Sequence, residues 1–384
     1  MQSAPLSSSS IIDLVHSGED YFERLADLIE TAKTEIHFQT YIFVGDETGE
    51  RIYLLLKNAA QRGVKIYVLL DGFGSDAFPE LWMQELKEVG VQIRFFSPFL
   101  ASKSYFLGRR LHHKIVVADA EMILIGGINI ADKYRGTEDE KAWLDYAVLI
   151  ADSGLGIQLQ KLCKNIFEAK KKSIRKPIDS NFPRKENIQI SILRNDWWKR
   201  KNEIAKAYIK HISEAKSEVI ILGSYFIPGR RLTNVLKRSA DRGVRIRLVF
   251  AGISDVPFMK RATAHLYKKM LARNIELYEW NHSVLHAKTA VIDRKRATIG
   301  SFNLNYLSNY ASIEMNVAIQ NEEFAAMYAA HLEGIISQCH QVTLGNLHGR
   351  TGVITPVLNW IAYKVVRFVF MILTHNPYKS NRKK

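Results

Sequence analysis

The stretch HHKIVVADAEMILIGGIN, residues 112–129, decides the fold of this chain, because HAKTAVIDRKRATIGSFN, residues 286–303, repeats it. Both copies follow the pattern His-x-Lys-x4-Asp-x6-Gly-[Gly/Ser]-x-Asn. One short match of this kind can arise by chance, but two extended copies with identical spacing are poorly explained that way. The chain therefore contains an internal duplication, and its two halves are expected to share one fold.

The duplication extends upstream of these segments, in the same order in both halves. The matched pairs are KTEIHFQTYIF (33–43) with KSEVIILGSYF (216–226), and AAQRGVKIYVLLDG (59–72) with SADRGVRIRLVFAG (239–252). Gly63 and Gly243 are typical of residues just past a helix end, with a strand following each. Strand, helix and strand in alternation indicate βαβ units. The sequence therefore predicts an α/β protein with two pseudo-symmetric lobes, each a mixed, mostly parallel sheet flanked by helices.

Composition divides the chain into four parts. We expect a first lobe over residues 1–169, a basic linker over 170–187, a second lobe over 188–349 and an amphipathic, basic C-terminal segment over 350–384. The linker is rich in charge and contains two prolines, which favours a solvated connector over a binding surface.

Length and charge limit the classes of protein. The 384 residues, 47% hydrophobic and 24% charged, suit two or three globular domains rather than a disordered chain. The formal net charge of +15 favours polyanionic partners, namely nucleic acid, anionic lipid or phosphorylated substrates. Cys163 and Cys339 lack metal-type spacing and are too few for a disulfide framework, so free thiols in a reducing compartment are expected.

The chain termini bear on membrane contact. The N-terminal sequence MQSAPLSSSSIIDLV lacks the basic region of a signal peptide, so a cytoplasmic location is expected. No uncharged apolar stretch of about 18 residues occurs, which argues against a spanning helix. The nearest candidate, residues 353–373, carries Lys364 and Arg367 on one helical face and precedes a basic tail. Its pattern fits an interfacial membrane helix and a helix docked on the core equally well.

The spacing within each motif predicts a reactive site. Residues two apart on a strand project from the same face, about 6.7 Å apart, so His112 and Lys114 share one space, as do His286 and Lys288. Lysine and asparagine donors suit the non-bridging oxygens of a phosphodiester, which makes Asn129 and Asn303 candidate substrate contacts.

The motif aspartates, Asp119 and Asp293, could act in catalysis, anchor a turn or pair with a nearby cation. Anchoring is at least as well supported as chemistry.

Each half supplies only one such histidine, whereas displacement at phosphorus through a covalent intermediate needs both a nucleophile and a proton donor. We therefore expect His112 and His286 to face each other across a cleft between the halves. No carboxylate or cysteine cluster has metal-ligand spacing, so neither a metal nor another cofactor is expected. The competing interpretation is that both histidines merely fill buried strands, but it does not explain why the motif occurs in two matched copies.

Both motifs resemble the HKD motif of the phospholipase D superfamily, and QTYIF, SYFIPG and GSFN are most similar to its bacterial cardiolipin synthase branch. The resemblance implies a phosphohistidine on His112, while His286 protonates the departing alcohol and then activates the acceptor. It also implies an acidic residue after each motif that orients a histidine, which Glu314 and Asp145 would supply. The first copy has Gly127 where the second has Ser301, so an asymmetric site is expected. The substrate-binding candidates are thus Asn129, Asp145, Ser301, Asn303 and Glu314.

The resemblance further implies transfer of a phosphatidyl group to the hydroxyl of phosphatidylglycerol. The expected partners are therefore phospholipid substrates and an anionic membrane surface, with the protein in a peripheral position on the cytoplasmic face of the cell membrane. Nucleic acid is not expected as a partner, and the oligomeric state is open. Many relatives carry N-terminal membrane helices, and this sequence departs from that pattern. Membrane contact is therefore expected here from residues 95–106, residues 197–201 or the C-terminal segment. The alternatives are hydrolysis of phospholipid or nucleic acid by the same site, and a non-catalytic membrane-binding protein.

Overall fold

The computed structural model describes residues 11–97, 109–169, 178–180, 188–196, 201–305, 308, 312–350 and 354–374, and each half builds one sheet with its helices. The first-half strands are β1 (Ile12–His16), β2 (Glu35–Thr40), β3 (Lys65–Asp71), β4 (Gln92–Phe96), β5 (Arg110–Leu111), β6 (Lys114–Ala118), β7 (Met122–Gly126) and β8 (Tyr146–Ala151). The helices are α1 (Glu19–Thr31), α2 (Glu47–Gln61), α3 (Glu80–Glu88), α4 (Asp132–Arg135) and α5 (Ser153–Phe167).

The second half repeats this plan and extends it. Its strands are β9 (Ile178–Asp179), β10 (Gln189–Asp196), β11 (Lys201–Asn202), β12 (Glu218–Gly223), β13 (Arg245–Ile253), β14 (Glu276–Val284), β15 (Lys288–Ile292), β16 (Arg296–Gly300), β17 (Ser312–Gln320) and β18 (His340–Val342). Its helices are α6 (Glu203–Glu214), α7 (Arg230–Asp241), α8 (Pro257–Ala264), α9 (Tyr267–Leu271), α10 (Glu322–Ser337), α11 (Leu344–Arg350) and α12 (Ile354–Thr374).

The α/β architecture with two sheets flanked by helices confirms the predicted fold class, but the strand directions correct one detail. In the first sheet, ordered β1-β8-β7-β6-β2-β3-β4, only the β2–β3 and β3–β4 pairs are parallel. The other four pairs are antiparallel: the first motif forms the hairpin β6–β7, the chain returns through β8, and β2 and β1 pair with β6 and β8. The βαβ pattern in the sequence therefore describes one side of each sheet, and "mostly parallel" is wrong for the whole.

The matched glycines end matched helices. Gly63 and Gly243 have φ of +94° and +90°, the left-handed conformation that glycine adopts without the steric cost of a Cβ. Each directs the chain from α2 or α7 into the central parallel strand, β3 or β13. The repeated Arg-Gly-Val sequence is thus a repeated helix-to-strand turn.

The two halves share a core. Apolar side chains from the inner faces of both sheets, such as Ile125 and Val148 of the first and Ile299 and Val317 of the second, pack into one cluster with α5 and α10. A separate cluster lies on the outer side of each sheet, beneath α1 and α2 or α6 and α7. Burial of the inner faces against each other joins the lobes into one body.

The predicted linker lies largely outside the described residues, but its part that is described belongs to a sheet. Ile178 and Asp179 form β9, which pairs with β10 of the second sheet. Charge composition alone missed this pairing, which depends on the burial of Ile178 within a basic run.

The C-terminal helix α12 packs against α8 through Ala362, Val366 and Phe370. Within the described chain, α12 alone has the length and apolar composition to cross a membrane, and only 17% of its most apolar window is buried. Of the other predicted membrane contacts, residues 98–106 and 197–200 lie outside the described residues.

Candidate active site

Main-chain hydrogen bonds between the lobes hold both motif histidines. The amides of His112 and His113 donate to the carbonyl of Ile313, and β5 pairs in parallel with β17. In the same way, the amides of His286 and Ala287 donate to the carbonyl of Leu144. The backbone of each histidine, two residues before its strand begins, is therefore fixed by the opposite lobe.

The acidic residue that holds each histidine also comes from the opposite lobe. His112 Nδ1 lies 2.9 Å from Glu314 Oε2, and His286 Nδ1 lies 2.6 Å from Asp145 Oδ2. A carboxylate on Nδ1 fixes the ring orientation and the tautomer, which leaves Nε2 to react. The structure brings both predicted acidic residues to the histidines, and each acid lies in the lobe opposite the histidine that it contacts.

The motif lysines lie at the same place. Lys114 Nζ donates to the carbonyl of His112 at 2.5 Å, and Lys288 Nζ lies 3.0 Å from His286 Nδ1 and 4.0 Å from Asp145 Oδ2. Each lysine charge also lowers the pKa of the histidine of the other lobe. Histidines and lysines from both halves thus form one site.

Aromatic rings line the site, and sequence reasoning had assigned them no role. Tyr41 contacts His112 with ring centroids 4.8 Å apart, and Tyr225, one residue beyond the repeat equivalent of Tyr41, lies 6.5 Å from His286. A tyrosine just past the end of each of the matched strands β2 and β12 was a usable signal. Tyr134 has none, because its hydroxyl reaches His286 Nε2, at 3.5 Å, only through the tertiary fold.

Burial sets the charge states at the site. It lowers the pKa of His112, against the opposing effect of Glu314. Burial, followed by the charges of Lys288 and Lys114, lowers the pKa of His286 well below its ordinary value. Burial and then Lys288 lower the pKa of Lys114 to about 7, while burial raises the pKa of Asp145 to about 6. The lowered pKa values of His112 and His286 thus favour neutral imidazoles before a phosphodiester anion binds.

The two histidines differ in access. The His112 side chain is 16% exposed and that of His286 is 7% exposed. Within the described part of the chain, His112 Nε2 has no hydrogen-bond partner, whereas His286 Nε2 faces the Tyr134 hydroxyl. The asymmetry expected from Gly127 and Ser301 therefore extends to the reactive nitrogens.

The motif aspartates lie elsewhere. Asp119 accepts hydrogen bonds from the amides of Lys33, Thr34 and Glu35, where β2 begins, at 2.8 to 3.0 Å. Asp119 is five residues beyond Lys114, roughly 16 Å along an extended strand.

The second copy repeats this arrangement, with Asp293 accepting from the amides of Lys216, Ser217 and Glu218. The catalytic assignment of both aspartates is corrected: they anchor the β-hairpin to the neighbouring strand.

Two predicted substrate contacts have other partners. The amide of Asn129 accepts from Ile42 N and donates to the Tyr134 hydroxyl, and the residue is 1% exposed. Ser301 is fully buried, and its hydroxyl donates to Glu314 Oε2 at 2.5 Å. Both side chains position neighbouring groups of the site, and their direct contact with substrate stays a prediction.

The third candidate, Asn303, accepts a hydrogen bond from Ser224 through Oδ1. Its substrate contact stays a prediction.

Gly127 is required by the close approach of Asp145. A Cβ at Gly127 would lie 2.4 Å from Asp145 Oδ1. The first lobe therefore holds a short carboxylate directly over a glycine, whereas the second holds the longer Glu314 through the hydroxyl of Ser301. The one difference at the defined positions of the shared pattern, Gly127 against Ser301, follows from which acid each supports.

Two further carboxylates support the site, one at the end of the central parallel strand β3 and one in the loop that follows β13. Buried Asp71 accepts from the amide of Leu111, the residue before His112, at 2.8 Å. Asp255 accepts from the Tyr225 hydroxyl.

Among the described residues, no group of three or more histidine, cysteine or acidic side chains could hold a metal ion. The arrangement supplies two oriented imidazoles and two lysine side chains, which suits displacement at a phosphodiester.

Comparison with known proteins places this geometry in context. The family model described as cardiolipin synthase, PLD-like domain, matches residues 25–169 and 208–336, one segment in each lobe. Cardiolipin synthase B of Escherichia coli is 33% identical over 348 residues, which are 88% of this chain and 84% of the relative. The minor cardiolipin synthase of Bacillus subtilis is 29% identical, over 89% of this chain and 85% of that protein.

Among solved structures, the crystal structure of phosphatidylserine synthase from Haemophilus influenzae aligns with a TM-score of 0.76. The alignment covers 96% of this chain and 95% of that one, at 14% identity, and this likeness concerns the fold alone.

Proposed function

Because this chain belongs to the phospholipase D superfamily, in the family described as cardiolipin synthase, PLD-like domain, we propose that it makes cardiolipin from phosphatidylglycerol and a second phospholipid. It is a transferase of that superfamily. One observation carries the proposal: two histidines, each held at Nδ1 by a carboxylate of the opposite lobe, share a site with two lysines.

In the first step, His112 Nε2 attacks the phosphorus of the donor phospholipid. A phosphorus–nitrogen bond forms, and the bond from phosphorus to the headgroup oxygen breaks. His286 Nε2 gives its proton to that oxygen, so the headgroup leaves as a neutral alcohol. The greater exposure of His112 and its free Nε2 among the described residues support this division of roles.

In the second step, the hydroxyl of phosphatidylglycerol attacks the phosphohistidine. His286 now accepts the hydroxyl proton, a phosphorus–oxygen bond forms, and the phosphorus–nitrogen bond breaks to restore His112. If the first donor is also phosphatidylglycerol, the products are one cardiolipin and one glycerol. Exclusion of water by the buried site favours transfer over hydrolysis.

Substrate binding sets the proton states that these steps need. Burial and then the charges of Lys288 and Lys114 lower the pKa of His286. A bound phosphodiester anion offsets those charges, which raises the pKa of His286 and lets it carry the proton for the leaving group. The same lysines stabilise the charge on the equatorial phosphoryl oxygens in the transition state.

We place the enzyme peripherally on the cytoplasmic face of the membrane, with phospholipids as its partners. The net charge of +15 supports attraction to an anionic lipid surface. The expectation that it does not process nucleic acid stays a prediction, which a nuclease assay at low salt would check.

Incubation with phosphatidylglycerol vesicles tests the proposed activity. Mass spectrometry should find cardiolipin and free glycerol in equal amounts, and the His112→Ala variant should form neither. Accumulation of phosphatidic acid without cardiolipin would show hydrolysis instead. Absence of both lipid products from the folded wild-type protein would overturn the proposal.

A further inference from the structure

Helix α12 presents an apolar face that nothing in the described chain covers. Of the nineteen large apolar side chains that are exposed in the described residues, ten lie on this 21-residue helix. Val357, Trp360, Ile361, Phe368 and Met371 are between 42% and 58% exposed. Soluble surfaces rarely concentrate apolar side chains in this way, so the face indicates an apolar binding partner.

The opposite face of α12 is docked on the second lobe. Ala362, Val366 and Phe370 are buried, and they pack against Ile227 and Ala262. The spacing of four residues places this docked stripe along one side of the helix. The helix is therefore held firmly with its other side directed outward.

This docking site is next to the active site. Ile227 follows the site tyrosine Tyr225 by two residues, and α8 begins two residues after Asp255, which accepts from the Tyr225 hydroxyl. Tyr225 in turn contacts His286. Helix α12 is thus connected to the reactive imidazole of His286 through Ile227 and α8, by way of Tyr225.

Other exposed apolar residues lie at the rim of the same site. Ile253, Val256 and Phe258 are exposed where β13 leads into α8. The equivalent loop of the first lobe exposes Phe73, over which Arg110 stacks at 5.5 Å, two residues before His112. Apolar side chains from both lobes therefore flank the site, and α12 extends this surface on the second-lobe side.

Charge distinguishes a bilayer interface from a bilayer core or a second protein. Lys364 and Arg367, near the middle of α12, lie against the rings of Trp360 and Tyr363. Two cations at the centre of a spanning helix are costly, whereas at the headgroup level they snorkel to lipid phosphates. Lys379, Arg382, Lys383 and Lys384 follow in the sequence and add attraction to anionic headgroups.

We propose that α12 lies in the headgroup region of an anionic phospholipid bilayer, with its exposed face inserted and its docked face holding the active-site rim against the membrane. The inference deepens the proposed function, since it states how a lipid reaches the site without leaving the bilayer. It rests on that function only for the identity of the substrate.

Vesicle co-sedimentation tests the surface directly. The variant carries Val357→Ser, Phe368→Ser and Met371→Ser, and its matched control carries Leu54→Ser, Ile157→Ser and Met327→Ser, at sites of 45% to 58% exposure on other helices. Vesicles contain equal parts phosphatidylglycerol and phosphatidylcholine, or phosphatidylcholine alone. We expect the α12 variant to lose at least about a hundredfold in affinity for the anionic vesicles, and the control to bind like wild type.

Turnover separates this inference from the proposed function. Short-chain phosphatidylglycerol below its micelle concentration needs no bilayer, so the α12 variant should turn it over at the wild-type rate while losing turnover on vesicles. Retained turnover also shows that the variant is folded. If the wild type turns over neither substrate, the proposed function is wrong, and co-sedimentation still tests the membrane surface.

Three results would overturn the inference. The first is unchanged vesicle binding by the α12 variant. The second is a wild-type dimer in light scattering that the variant abolishes without any vesicle binding, which would assign the face to a second copy. The third is resistance of the bound protein to alkaline carbonate extraction, which would indicate a spanning helix.

Discussion

At the scale of single residues, the roles of the two histidines differ in one measurable way. His286 serves the leaving group, so a phosphatidyl donor with a p-nitrophenyl group, which departs without a proton, bypasses it. We expect His286→Ala to lose about a hundredfold to ten-thousandfold of turnover with a glycerol leaving group. With the activated donor it should still form a phosphohistidine.

Peptide mass spectrometry of the quenched His286→Ala reaction would locate the phosphatidyl group. A modified His112 is the expected result. Modification at another residue, or equal loss with both donors, would contradict the assignment.

The pH dependence of kcat/KM follows from the lowered pKa values. Protonation of His112 removes the nucleophile; because its pKa is lowered, the acidic limb should lie below pH 6.5. Deprotonation of Lys114, whose pKa is about 7, removes a positive charge, so kcat/KM should fall on the alkaline side.

The Lys114→Arg variant is the control, since arginine keeps its charge at every accessible pH. Its residual activity should lack the alkaline limb near pH 7. An unchanged limb in that variant would assign it to another group.

Gly127 is predicted to be intolerant of any side chain. A Cβ there meets Asp145 Oδ1 at 2.4 Å, so Gly127→Ala should displace the carboxylate that orients His286. We expect turnover of glycerol-releasing substrates to fall at least about tenfold while the substrate KM changes little. Gly334→Ala is the matched control, because no atom lies within 4 Å of a Cβ at that position.

At the scale of elements, the motif aspartates stabilise the β-hairpin rather than the reaction. Asp119→Ala removes the acceptor for three strand amides, and we expect it to lower the free energy of unfolding by about 1 to 3 kcal/mol. The kcat of the folded fraction should stay near wild type, measured below the shifted melting temperature. A loss of kcat without loss of stability would restore the catalytic role.

The same aspartates contribute to acid sensitivity. Backbone and side-chain hydrogen bonds lower the pKa of Asp119 and Asp293. A lowered folded-state pKa gives stability that is present above the unfolded value near 3.9 and is lost as the pH falls through the folded value. These two turns should therefore weaken only under strongly acidic conditions.

At the scale of the whole molecule, the shared inner core predicts cooperative unfolding. Both sheets bury their inner faces in one cluster, and main-chain hydrogen bonds cross between the lobes at Leu111 and Leu285. We expect a single thermal transition, with the calorimetric and van't Hoff enthalpies equal. Two separable transitions would contradict a common core and would imply that each lobe folds alone.

Much of this architecture could be predicted from the sequence. The repeated Arg-Gly-Val turn, the βαβ order and the spacing from His112 to Lys114 are local patterns, set by strand and helix periodicity. The excess of antiparallel pairs was missed, because the order of strands in a sheet depends on which edges meet and not on the pattern within each strand. The hydrogen bond from Ser301 to Glu314 was missed for the same reason.

The sequence by itself determined the duplication, the α/β class and the residue types of the reaction, since these are written in neighbouring positions along the chain. Only the tertiary structure decided that Glu314 holds His112 while Asp145 holds His286, and that Tyr134 belongs to the site. The physical reason is distance along the chain: 202 residues separate His112 from Glu314. Packing of the two inner sheet faces, rather than any local preference, brings them within hydrogen-bonding reach.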